Sequence, residues 1–89
     1  MELKKYLYIK GIAVSDFAEV VGISNATLSR NINGQQPYSE RSITRIEYFT
    51  KGEVTGKDLI EEYEIKKEKR RKKLYDLSQS GLQSGSNQS

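Results

Sequence analysis

Apolar residues fall along the chain in short clusters separated by polar breaks, and within each cluster they recur at the spacing of one helical face. The first holds Leu3, Tyr6 and Leu7, with Lys4, Lys5 and Lys10 between and after them and Gly11 as a terminator. The second, Phe17, Ala18, Val20 and Val21, follows Ser15, which has the character of an N-cap, and Asp16, whose charge suits the first turn. It stops at Gly22, a residue free to take the positive φ of a tight turn. The third opens at Ser24, with Ile23 placed to staple onto Leu28, and runs through Ile32 to Asn33-Gly34. The same device returns at Ser39, where Tyr38 faces Ile43 and the pattern continues through Ile46 and Phe49 to a stop near Gly52. It returns again at Thr55 and Asp58, a capping-box pair, with Val54 facing Leu59. Three staples in register predict an all-α fold of about five helices.

Composition narrows the chemistry available to such a fold. Of 89 residues 35% are hydrophobic, and no apolar run approaches the ~20 residues of a membrane span. The opening residues do not read as a secretory leader, so a cytoplasmic location is expected. There is no cysteine and no histidine, which removes disulfides, thiolate metal sites, thiol nucleophiles and the usual general base. Gly52 to Asp58 superficially resembles a phosphate-binding loop, but its spacer is one residue short and Asp58 stands where the magnesium ligand belongs. Neither a catalytic constellation nor a metal or cofactor site is expected.

The net charge of +3 is unevenly distributed. Met1 to Ile65 holds eight Lys and Arg against ten Asp and Glu, a balance of −2, whereas Lys66 to Ser89 holds seven against two, or +5. The division predicts a folded domain over 1–65, a basic helical extension over 66–77, and a disordered tail over 78–89, where Ser, Gln and Gly dominate. Glu61, Glu62 and Glu64 read as surface partners for the lysines that follow, with Glu62-Lys66 and Glu68-Lys72 at favourable i,i+4 spacing.

The second and third helices with Gly22 between them match a helix-turn-helix. Ala18 is small where the helices cross, and Phe17, Val21, Ile23 and Leu28 fill the wedge. The run Phe17-Ala18-x-x-Val21-Gly22-Ile23-Ser24-x-x-x-Leu28-Ser29, then Ile32-Asn33-Gly34, resembles the Cro/CI-type repressors of phages and bacteria, whose domain is the lambda-repressor-like helix-turn-helix. Ser39-Glu40-Arg41 through Val54-Thr55-x-x-Asp58-Leu59 is similar to their YdaS-type, Cro-like subgroup. Asn31 departs from the pattern, since many members carry a large apolar or aromatic residue there, and the third helix holds a single arginine.

The resemblance implies sequence-specific binding of double-stranded DNA, with the third helix in the major groove. Carried onto this chain, Asn25, Ala26, Thr27, Ser29 and Arg30 face the bases, Asn25 suited to adenine, Arg30 to guanine or phosphate, and Ala26 or Thr27 to the thymine methyl. Ser15 and Ser24 would contact phosphates as a role secondary to capping, and Gln35 and Gln36 lie in a loop suited to the backbone. The six tyrosines read as amphipathic packing residues rather than stacking platforms.

Lys66, Lys67, Lys69, Arg70, Arg71, Lys72 and Lys73 have three readings: an exposed charged helix, an arm tracking DNA phosphates, or a partner-binding helix using Tyr63, Leu74 and Leu77. A module this small calls for a dimer on two half-sites or for cooperativity, with helix five and its extension the candidate interface. The expected function is a small transcriptional regulator. The rivals are a protein-interaction module of the same fold, of antitoxin or antirepressor type, and a nonspecific nucleic-acid binder driven by the basic extension.

Overall fold

A computed structural model of the chain describes residues 1–84, which form five α-helices in the order α1 (Leu3–Lys10), α2 (Val14–Val21), α3 (Asn25–Ile32), α4 (Glu40–Phe49) and α5 (Gly56–Ser84). The all-α expectation holds among the described residues. α5 is helical as far as Ser84, and residues 85–89, the end of the segment read as a tail, lie outside the described residues.

The polar breaks act where the pattern places them. Ser24 Oγ accepts the Thr27 N–H at 3.1 Å and Ser39 Oγ accepts the Ser42 N–H at 3.1 Å. Thr55 and Asp58 form a reciprocal capping box, each backbone N–H bonded to the other's side chain. The Met1 ammonium and the Thr55 N–H hold the Asp58 carboxyl at about 2, below its ordinary 3.8. Ser15 is a correction: α2 begins at Val14 with Ala13 in the extended N-cap position, so Ser15 lies exposed in the first turn and caps nothing. Ile12 and Val14 pack against the core, and placing both there starts the helix ahead of the serine.

One core joins all five helices. Leu3, Tyr6 and Leu7 of α1 meet Phe17, Ala18 and Val21 of α2, Leu28 and Ile32 of α3, Ile46 of α4, and Leu59 of α5, with Tyr38 and Val54 from the loops. Phe17 sits at the centre, edge-to-face with Tyr6 at 6.4 Å and with Phe49 at 5.4 Å between ring centroids. Each such large side chain buried contributes about 1.5–3 kcal/mol. Tyr6 and Tyr38 are buried and Tyr63 is half-buried, as packing residues should be, but Tyr8, Tyr48 and Tyr75 stand in solvent.

Of the carboxylates preceding the basic block, Glu61 and Glu64 lie at the surface, and Glu62 departs from the surface pairing expected of it. Glu62 is turned inward, and its Oε1 accepts the Leu3 N–H at 3.0 Å, so α5 supplies the N-terminal cap that Glu2 does not provide for α1. Burial raises the Glu62 pKa, opposed by the Leu3 and Lys4 N–H groups. The exposed contact observed in the block is Arg71 with Glu68 at 3.8 Å. Glu47 likewise points at a helix end, its carboxylate accepting the Gly56 N–H at the start of α5. A carboxylate thus occupies the one stretch whose sequence resembles a phosphate loop.

Candidate nucleic-acid interface

α2 and α3 pack directly on one another across the Gly22 turn, where φ is +73°. The turn is held from outside by Arg45 of α4, whose Nη1 donates to the carbonyls of Val21 at 3.2 Å and Gly22 at 3.1 Å. These carbonyls end α2, so the guanidinium both satisfies orphan acceptors and complements the negative end of the helix dipole. No pattern in the sequence marks Arg45 for this role, because it depends on α4 crossing the turn.

α3 buries Leu28, Asn31 and Ile32 and turns Asn25, Ala26 and Arg30 to solvent. Thr27 and Ser29, expected to face outward, are half-buried at the edges of that face. Ser24 and Thr27 are also committed to each other, the Ser24 hydroxyl donating to Thr27 Oγ1 at 2.7 Å in addition to capping. Among the residues predicted for base contact, the freely presented set is therefore Asn25, Ala26 and Arg30. Ser15 lies on α2 in solvent.

Asn31 has a structural purpose. Its side chain is 1% exposed, and Nδ2 donates to the carbonyls of Gln36 at 2.8 Å and Pro37 at 3.1 Å. An apolar residue there would fill the space but leave both carbonyls unanswered, so the amide shapes the loop following α3. That loop starts with a tight reversal at Gly34, φ +75°, in which the N–H groups of Gln35 and Gln36 both return to the Arg30 carbonyl.

Gly34 is where the loop meets α5. A Cβ built on it would lie 2.6 Å from the Lys67 backbone nitrogen and 2.8 Å from the Lys66 carbonyl carbon. The absence of a side chain lets the end of α3 sit against the α5 backbone at the first residues of the basic block. Asn33 and Gln35 consequently line one groove, of about 280 Å³, with Lys66, Lys69, Arg70 and Lys73. Gln36, one residue on, is exposed but outside it. The other cations of the block have different neighbours: Lys67 Nζ lies 5.8 Å from the Tyr63 ring centroid, Arg71 meets Glu68, and Lys72 lies with both on another side of the helix.

Asn33 was not among the residues expected to contribute, although the Asn-Gly helix stop beside Gln35 is a sequence signal for it. Among the described residues no group of three or more carboxylates, histidines or cysteines is placed to hold a metal ion, and no helix is long and apolar enough to cross a membrane. Comparisons with protein-family models, with curated proteins and with solved structures returned no match.

Proposed function

We propose that this chain is a sequence-specific double-stranded DNA-binding regulator of the Cro-like helix-turn-helix type, acting in the cytoplasm. The observation that carries the reading is the division of α3. One face is locked into the core by Leu28, Asn31 and Ile32, while Asn25, Ala26 and Arg30 project from a helix braced at its turn by Arg45. A core-mounted helix with a short amide near its N-terminus and a guanidinium about a turn and a half later is equipped to read base edges in a major groove. Asn25 is assigned to adenine, Arg30 to guanine or a flanking phosphate, and Ala26 to a thymine methyl.

Selection of bound duplexes from a random pool, at two salt concentrations, tests the reading. The expected outcome is an enriched consensus that the full-length Asn25→Ala, Arg30→Ala variant no longer prefers, each contact contributing about 1–3 kcal/mol of discrimination. A palindromic consensus would report a dimer, for which Leu74, Tyr75 and Leu77 on the outer part of α5 are the proposed contact. Absence of any enrichment would refute sequence-specific reading. One observation favours a protein partner instead: Val20, Tyr48 and Phe49 line an apolar groove of about 430 Å³ between α2 and α4, with Tyr48 87% exposed. Under that reading the α3 double variant would leave activity intact and substitution of Tyr48 would abolish it.

A further inference from the structure

We infer that the groove between the α3–α4 loop and the start of the α5 extension is a discrete phosphodiester site for duplex DNA, and that the basic block is divided by function rather than acting as diffuse charge. The inference rests on the duplex-binding reading above and adds which cations take the backbone, and where.

Three observations carry it. The groove is lined by Lys66, Lys69, Arg70 and Lys73 with the amides of Asn33 and Gln35, and no carboxylate is among the described residues that line it. The remaining cations face elsewhere, Lys67 over the Tyr63 ring and Arg71 and Lys72 beside Glu68, while Lys66 and Lys69 also line a neighbouring pocket with Glu2 and Glu62. The groove is also held at a set position relative to α3, because Gly34 packs against the α5 backbone at Lys66 and Lys67. An eight-residue helix is about 12 Å long, comparable to the width of the major groove. With the N-terminal end of α3 at the base edges, its C-terminal end and the adjoining cations reach toward a flanking strand. Four cations with side-chain amide donors between them match a run of phosphodiester oxygens. The C-terminal end of α3, the negative end of its dipole, favours the placement of these cations beside it.

The test compares two variants of the full chain that remove equal charge from exposed positions. The groove triple is Lys69→Gln, Arg70→Gln, Lys73→Gln, and the flank triple is Lys67→Gln, Arg71→Gln, Lys72→Gln. Each is titrated by fluorescence anisotropy onto a mixed-sequence duplex of about 20 base pairs from about 50 to 200 mM KCl, with circular dichroism confirming helix content. Each phosphate contact contributes about 0.9 to the slope of log affinity against log salt, so the groove triple should lower the slope by about 2 to 3 and the flank triple by less than about 1. At the lowest salt the groove triple should bind at least tenfold more weakly than the flank triple. Equal slopes for the two triples, or no change in either, overturn the site. A glutamate-rich peptide of matched charge serves as a second probe; if it binds as tightly as the duplex and loses the same fold-affinity in the groove triple, the site belongs to an acidic protein surface and the inference fails. The Asn25→Ala, Arg30→Ala variant on the same duplex separates this from the reading beneath it. Should sequence preference prove absent while the triples still differ, base reading fails and the phosphodiester site stands.

Discussion

Replacing Gly34 by alanine should be more damaging than the same change at the other positive-φ glycines, Gly11, Gly22 and Gly52, and the structure supplies its own controls. Gly34, Gly11 and Gly52 all take positive φ, at +75°, +68° and +81°. An alanine at any of them incurs the left-handed backbone cost of about 1–2 kcal/mol, offset by about 0.4–1 kcal/mol from the reduced entropy of the unfolded chain. At Gly11 and Gly52 that is all, because a Cβ there meets nothing within 4 Å. At Gly34 it would lie 2.6 Å from the Lys67 nitrogen and 2.8 Å from the Lys66 carbonyl carbon, both backbone atoms of a helix, which cannot turn aside as a side chain does. Overpacking adds about 1–3 kcal/mol, giving Gly34→Ala a net loss of roughly 2–4 kcal/mol against about 1 kcal/mol for the controls. Gly22→Ala belongs between, since the atoms its Cβ would meet are those of the Arg45 guanidinium, which can swing away at the loss of its two hydrogen bonds. Thermal and urea unfolding followed by circular dichroism read the series. At roughly 4–8 °C per kcal/mol for a domain of this size, Gly34→Ala should melt at least about 4 °C below Gly11→Ala and Gly52→Ala. Equal melting temperatures for the three would refute the tight seating of the α3–α4 loop on α5.

Arg45→Met should lose about 1.5–3 kcal/mol in urea unfolding, because it leaves the Val21 and Gly22 carbonyls without their charged donor; a variant as stable as wild type would show that water replaces the guanidinium. Phe17→Ala should cost about 3–5 kcal/mol and give a largely unfolded chain near physiological temperature, measured by loss of ellipticity, since it empties the space between Tyr6 and Phe49. Glu62 carries a pH prediction whose sign is set by its raised pKa: below its ordinary 4.5 the carboxyl is protonated in both states, and as pH climbs through the higher folded value the buried group must ionise against its surroundings, so stability falls. Glu62→Gln, whose amide oxygen still accepts from Leu3, should therefore gain on wild type as pH rises above about 4.5, and a pH-independent gap between the two in denaturant titrations would contradict this.

Much of the local structure is written in short-range signals. Ser24, Ser39 and the Thr55-Asp58 pair cap the helices that follow them, because a cap needs only its own side chain and a backbone three residues away. The core is equally legible, since Phe17, Val21, Leu28, Ile32, Ile46 and Leu59 recur at helical spacing and all are buried. Where a local signal competed with packing, packing prevailed: Ser15 is a competent cap, yet α2 starts before it. The candidate face on α3 was visible as a set of residues, but which of them stand free was not. Thr27 is tied to Ser24, and Ser29 lies against the edge of the core face.

Five helices, the caps of α3, α4 and α5, most of the apolar face of each and the separation of an acidic domain from a cationic extension were legible in the sequence, since all of these depend on residues within a few positions of one another. The long-range pairings depend on how the helices pack. Glu62 is a surface carboxylate by spacing and an α1 cap by position, 59 residues from the N–H it accepts. Arg45 is an ordinary helix cation until α4 crosses the Gly22 turn. The basic block is uniform as a sequence, but α5 is one continuous helix seated on Gly34, and its rotation places Lys66, Lys69, Arg70 and Lys73 beside Asn33 and Gln35 while turning its other cations elsewhere. A periodic charge pattern states which residues share a helix face; only the contact that sets the helix's rotation states what that face looks upon.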